Sequence, residues 1–350
     1  MDYSKLNLSF FLLPLVTLLT LVVGEPQVPC LFIFGDSLVD NGNNIHRNTT
    51  AKVNFLPYGI DFPDGPTGRF TNGRNVADII AELLGFDSFI PPFANVTNED
   101  ILRGANYGSG GAGILDETGR SMHGDIISLN EQLSNHEAAI TRITKLLGGK
   151  TAAKQHLGEC IYYVVMGNND YLGTYLPHFY SSKTPYTPQQ FAALLIEQYS
   201  KQLRRLYESG ARKIAVSSLG KLGCVPLELA TYGSDDDASC VETGNNAVQI
   251  FNENLKHLVA DLNNRLPDAK FVYTRESSSA TSYGNIKNLR DTCCLVETGG
   301  CVPGSVPCGN RFEYMFWDEV HPTEAGNLIS ATIAYNSMAP LYASNPIDVW

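Results

Sequence analysis

Short, nearly continuous apolar runs alternate along this chain with longer stretches in which apolar residues return every third or fourth position. The short runs are rich in β-branched and aromatic residues. They predict strands at Cys30–Gly35, Leu102–Gly108, Cys160–Gly167, Lys213–Ser218 and Lys270–Thr274. The periodic stretches predict helices at Asn75–Leu84, Ile126–Leu147, Pro188–Ser209 and Glu242–Leu266, with a last one running from Pro322 towards Met338. In the fourth of these, Val248, Phe251, Leu255, Leu258, Val259 and Leu262 share one face. Strands that alternate with helices are joined by right-handed crossovers. The order therefore predicts an α/β fold of three layers, α/β/α, around a central parallel sheet of about five strands.

The run from Phe10 to Val23 stands outside this pattern. It follows Lys5, ends at the small Gly24, and is too short for a comfortable membrane span. It reads as a secretory signal cut after Gly24, so residues 1–24 are expected to be the signal and residues 25–350 a single domain. An uncleaved anchor is the competing reading, disfavoured by length. No other run is long and apolar enough for stable membrane insertion.

A net charge of −11 argues against nucleic acid as a partner. Eight cysteines in a secreted chain imply disulfides, with the connectivity left open. Cys224 and Cys240 bracket a loop holding Asp235, Asp236 and Asp237, and Cys293, Cys294, Cys301 and Cys308 cluster near the C-terminus. The spacing lacks paired C-x-x-C knuckles, so no metal is expected. Asn48 and Asn95 head acceptable glycosylation triplets. A monomer is the default expectation. The destination is expected to be extracellular, with the vacuole left open.

In an open α/β sheet, ligands bind at the carboxyl ends of the strands. Ser37 follows the first predicted strand, Ser109-Gly110 the second and Asn168-Asn169 the third, so three polar features share one edge. Alone, each reads as a turn, a cap or a flexible loop. A serine needs a base to become a nucleophile, and of the seven histidines only His321 has an acidic residue, Asp318, three positions before it. One tight turn can set that carboxylate against one ring nitrogen and leave the other to accept a proton. Backbone N–H groups at Ser37 and the glycine run, with the Asn169 amide, can face the oxyanion that attack on a carbonyl creates.

The chain carries Phe34-Gly35-Asp36-Ser37-Leu38-Val39-Asp40-Asn41-Gly42-Asn43-Asn44, then Gly104-Ala105-Asn106-Tyr107-Gly108-Ser109-Gly110-Gly111-Ala112-Gly113-Ile114. Gly167-Asn168-Asn169-Asp170 and Asp318-Glu319-Val320-His321-Pro322-Thr323-Glu324 follow in order. These blocks resemble the GDSL esterase/lipase family of the SGNH hydrolase superfamily. The stretches around Pro57-Tyr58-Gly59, Arg69-Phe70-Thr71-Asn72 and Leu222-Gly223-Cys224 look like its plant branch, as does the cysteine cluster. The resemblance implies a flavodoxin-like SGNH fold and a secreted serine esterase working through an acyl-enzyme, on a small-molecule or lipid ester. It makes Ser37 the nucleophile, His321 the base and Asp318 its orienter, with Ser37, Gly110 and Asn169 as oxyanion donors and no cofactor. Gly108 departs from the alanine more usual in the plant branch and is expected to loosen the oxyanion loop. The roles of Arg69 and Asn72 do not follow from the sequence.

Two other readings share these residues. An alcohol that outcompetes water turns the same acyl-enzyme into an acyltransferase. A non-catalytic flavodoxin-like, lipid-binding or glycan-binding protein is the remote alternative, since Asp36 and Asp40 would repel a phosphate after the first strand. Tyr171, Tyr175, Phe179 and Tyr180 belong either to the pocket rim or to plain packing.

Overall fold

The computed structural model describes residues 25–233, 239–275, 285–297 and 299–343. The signal segment, Asp235–Asp237 and the C-terminal end of the chain lie outside the described residues. The five expected strands form one wholly parallel sheet: β1 (Leu31–Gly35), β2 (Gly104–Asn106), β3 (Ile161–Val165), β4 (Lys213–Ser217) and β5 (Lys270–Thr274). Their order is β2-β1-β3-β4-β5, with Leu31 paired to Gly104 on one side and Ile161 on the other.

Both faces of this sheet are covered, and that explains why its strands read as unbroken apolar runs. Successive strand side chains point to opposite faces. Phe32, Phe34, Tyr162, Val164, Ile214 and Val216 pack on one layer of helices, while Leu31, Ile33, Ile161, Tyr163 and Ala215 pack on the other. The first layer comprises α2 (Leu129–Leu146), α3 (Lys150–Glu159), α4 (Pro188–Glu208) and α6 (Glu242–Arg265). The second comprises α1 (Val76–Leu83) and α7 (Glu324–Ser337), which lie against each other. A shorter helix, α5 (Pro226–Tyr232), stands near the carboxyl edge.

Helix starts follow capping chemistry. Asn75, Ser128 and Thr187 each accept a hydrogen bond from the third residue of their helix, whose own side chain returns one. With Ser128 as its cap, α2 therefore begins at Leu129, three residues after the expected Ile126. Helix α3 was not anticipated, because only Ala153 and Leu157 of its ten residues are buried and its apolar period is faint.

The cysteines pair as Cys30–Cys160, Cys224–Cys240, Cys293–Cys308 and Cys294–Cys301. The first joins the residues just ahead of β1 and β3. The last two fasten the segment around a small parallel pair, β6 (Asn288–Thr292) with β7 (Tyr314–Phe316). No helix among the described residues is long and apolar enough to cross a membrane.

Candidate active site

At the end of β1 the backbone turns sharply through Asp36-Ser37. The Asp36 carbonyl accepts the N–H groups of Val39 and Asp40, and its carboxylate accepts that of Leu38 at 3.0 Å. This turn lifts Ser37 above the carboxyl edge while keeping it nearly buried. Asn168, after β3, donates to the other Asp36 oxygen at 2.9 Å, tying the two strand ends together. Burial raises the Asp36 carboxyl above its ordinary range, and the bonds from Asn168 and Leu38 oppose that rise.

His321 approaches from the far end of the chain. Its Nε2 lies 2.8 Å from Ser37 Oγ, and its Nδ1 lies 2.7 Å from Asp318 Oδ2. With Nδ1–H given to the carboxylate, Nε2 is left to accept the serine proton. Asp318 Oδ1 also accepts the backbone N–H groups of Val320 and His321, at 2.9 and 2.8 Å, which closes the turn anticipated from the Asp-x-x-His spacing. Burial pushes the Asp318 carboxyl up, but the facing His321 and these donors outweigh it and hold the group below its ordinary range.

A further donor was not foreseen. The Tyr58 hydroxyl gives its proton to Asp318 Oδ2 at 2.7 Å and itself accepts the Cys301 N–H at 3.1 Å. Burial and the adjacent Asp318 raise the phenol well above its ordinary range, so it stays protonated and serves as donor. The turn is braced from the cysteine cluster as well: the amides of Cys293 and Cys294 donate to the Trp317 carbonyl at 3.1 and 3.0 Å. Phe70 lies against the His321 ring, centroids 4.9 Å apart.

The expected oxyanion donors divide. The Ser37 amide meets no acceptor among the described residues. Asn169 spends one of its two N–H groups on the Ala112 carbonyl at 2.9 Å, leaving the second. Gly110 departs from the expectation: its amide is donated to Asp40 Oδ2 at 2.9 Å. An N–H engaged by a carboxylate is not available to an oxyanion unless that bond opens. The next residue, Gly111, lines the cavity beside Ser37 and Asn169, has φ of +82°, and its amide meets no acceptor among the described residues.

Two buried carboxylates hold this glycine turn. Asp40 accepts Gly42, Asn43 and Gly110, and Asp170 accepts Ile114, Leu115 and Thr118, all at 2.7–3.1 Å. Burial pushes each carboxyl up to about 6 despite those donors. Asn43 donates to the carbonyls of Asn106 and Gly108, and Asn44 to that of Gly110. Gly108 is not in open space. A Cβ there would come within 3.0 Å of Asn106 Oδ1 and of Val39 Cγ2, so this glycine fits a crowded corner rather than a loose one.

The family-typical loop gains roles. Arg69 forms a buried bidentate pair with Asp78 at 2.7 and 2.8 Å, and the Asn72 side chain accepts the Glu324 amide at 2.8 Å at the start of α7. Tyr171 and Tyr175 belong to the core, not the rim: both are buried and pack on Phe191. Leu172 between them is the residue that faces the site. Asn48 and Asn95 are exposed.

Two cavities meet at Ser37, Asn169 and His321. One, of about 390 Å³, has aliphatic walls that include Leu222, Val225, Leu229, Leu289, Met315 and Ile329. The other, of about 440 Å³, sets Phe55, Tyr58 and Phe70 opposite Lys52, His123 and Glu319.

With this geometry in view, comparison with known proteins is informative. Residues 31–333 match the family described as GDSL-like Lipase/Acylhydrolase. The chain is 46% identical to GDSL esterase/lipase At1g29670 of Arabidopsis thaliana, over 93% of this chain and 91% of that one. It is 45% identical to GDSL esterase/lipase At1g29660 of the same plant, over 94% and 92%. Among solved structures, an extracellular lipase from Streptomyces rimosus shares 13% identity over 88% of this chain and 98% of that one, at a TM-score of 0.36, too loose to argue from.

Proposed function

Because the chain belongs to the GDSL-like lipase/acylhydrolase family, we propose that it is a serine esterase that cleaves carboxylic esters through an acyl-enzyme on Ser37. The unbroken hydrogen-bonded line from Ser37 Oγ through His321 to Asp318 supports this reading above any other observation. Ser37 Oγ attacks the carbonyl carbon while His321 Nε2 takes its proton. The tetrahedral oxyanion is met by the Ser37 amide, the second N–H of Asn169 and the glycine turn, where Gly111 rather than Gly110 has the amide left to give. Collapse breaks the bond to the alcohol oxygen, which leaves with the proton from His321. A water then gives its proton to the same Nε2 and attacks the acyl carbon, releasing the acid and restoring Ser37.

The same reading makes residues 25–350 one domain, exported after loss of residues 1–24. Four disulfides and exposed acceptors at Asn48 and Asn95 suit an oxidising, glycosylating route.

The test compares hydrolysis of p-nitrophenyl acetate, butyrate and palmitate by the protein and by an equally folded Ser37→Ala variant. A loss of roughly a thousandfold or more is expected. Undiminished turnover in the variant would remove Ser37 from the mechanism. Ester formed in place of acid when an alcohol is added would make the protein an acyltransferase on the same residues.

A further inference from the structure

We propose that the two cavities divide the substrate at Ser37, the aliphatic one taking the acyl chain and the mixed one the alcohol. The preferred substrate is then an aliphatic acid of medium length esterified to a polyhydroxylated alcohol such as glycerol or a sugar. This rests on the ester-hydrolase reading and says which ester.

The cavities have the size of small-ligand pockets, and their walls differ in kind. In the first, the polar groups on the floor already satisfy one another: Asn168 donates to Asp36 at 2.9 Å. The charged Lys221 and Arg290 are exposed, so the path between floor and rim is lined mainly by Leu222, Val225, Leu229, Leu289, Met315 and Ile329, with the half-buried Ser330 beside them. A hydrocarbon chain loses no hydrogen bonds there and gains on every methylene it withdraws from water. A hydroxylated alcohol in the same place would strand its hydroxyl groups.

The second cavity offers partners for hydroxyl groups. The Lys52 ammonium is anchored on the Arg47 carbonyl at 3.1 Å and has protons to spare. His123 and Thr50 exchange a hydrogen bond at 3.2 Å, and Glu319 is an acceptor whose carboxyl is raised by burial and then by Asp318. Opposite them, Phe55, Tyr58 and Phe70 give flat apolar surface, the pairing that suits a molecule with C–H faces and hydroxyl edges. Charges of both signs disfavour an anionic alcohol. His321 lines both cavities, so the character of the walls sets the orientation, and an alcohol held in the mixed cavity can still take its proton from His321 as it departs. Phe70, a wall of this cavity, lies directly on the His321 ring.

Glyceryl monooctanoate, ethyl octanoate and glyceryl monoacetate separate the two halves. The first should show kcat/KM roughly tenfold or more above each of the others. Ile329→Trp, with Leu229→Trp as the alternative should it misfold, fills the aliphatic cavity. It should reduce the octanoate-to-acetate ratio about tenfold while the glyceryl-to-ethyl ratio holds. Lys52→Met should do the reverse. Ratios that move the other way round, or stay fixed while turnover still depends on Ser37, overturn the assignment and leave the esterase reading intact. Calorimetric binding of glyceryl monooctanoate to Ser37→Ala needs no turnover. Adding Ile329→Trp should weaken it about tenfold, and unchanged or absent binding overturns the proposal. Expected binding with no turnover on any ester would instead sink the esterase reading.

Discussion

Ser37 and His321, the proposed nucleophile and its base, are held in place by opposite means. Ser37 sits on the edge of a parallel sheet, two residues past a strand that is buried along its whole length. Its surroundings are fixed by backbone amides converging on Asp36, Asp40 and Asp170. Asp318 and His321 sit on a loop outside the main sheet, fastened by Cys293–Cys308 and Cys294–Cys301 and by one phenol reaching across from Tyr58. Sheet geometry comes with the fold. The loop's geometry depends on cross-links and a few long-range bonds, so perturbations there should change the chemistry before they change the fold.

The hardest blow to the base side is Asp318→Asn. An amide presents N–H where the carboxylate accepted, favouring the wrong tautomer of His321 and leaving the amides of Val320 and His321 less well served. Turnover should fall about 10⁴-fold with the sheet intact, as read by kcat and circular dichroism. A loss no larger than tenfold would mean that the carboxylate does not orient the base.

Next in size is removal of the Cys294–Cys301 link by Cys294→Ser with Cys301→Ser. The Cys301 amide is the group that holds the Tyr58 oxygen, so freeing it loosens Asp318 at second hand. About a hundredfold loss of kcat is expected, beside a cost of about 2–4 kcal/mol in stability. Breaking Cys30–Cys160 as Cys30→Ala with Cys160→Ala should invert the pattern, lowering the melting temperature with much less effect on kcat. Equal effects of the two pairs on kcat would erase the contrast between the regions.

Tyr58→Phe is the finer cut. Losing one hydrogen bond to a buried carboxylate should lower kcat about tenfold with KM little changed. It also leaves the full negative charge of Asp318 facing the imidazole, which stabilises the protonated ring. The acid limb of the kcat/KM profile should therefore move to higher pH, whereas a purely structural role would leave the limb where it was.

The same contrast governs what the sequence could reveal. The strands were legible because burial on both faces demands unbroken apolar runs, and Leu31–Gly35 and Ile161–Val165 are buried throughout. Ser37, Asp318 and His321 were legible because their constraints are local: a turn after a strand, and a carboxylate three residues before an imidazole. Tyr58 was not, since it meets Asp318 across 260 residues and no spacing encodes that. Gly110 and Gly111 carry no side chains to distinguish them, so only the fold shows which amide Asp40 has taken. The pair β6 and β7 is short and only partly buried, too weak a pattern to read ahead of the structure.

The last expected effect lies on the Ser37 side and concerns the dependence of stability on pH. Asp170 has an ordinary value of 3.8 and is pushed up to about 6 by burial, so between those limits the folded protein binds a proton that the unfolded chain has released. Stability contributed by this group is then greatest below 3.8 and declines as pH rises through about 6, the reverse of an ion-paired carboxylate. Asp318, held below its ordinary range, works in the opposite sense: its stabilisation is present above 3.8 and lost as the solution is made more acid. Asp170→Asn removes one of these slopes and keeps a side chain of the same shape. The melting temperature of the native protein should accordingly fall relative to that of the variant as pH rises from 4 to 7, by a few degrees, about 2–3 kcal/mol. Curves that stay parallel would mean that the donors of Ile114, Leu115 and Thr118 hold Asp170 ionised throughout. The sheet edge would then owe its rigidity to a charge that pH does not reach in this range.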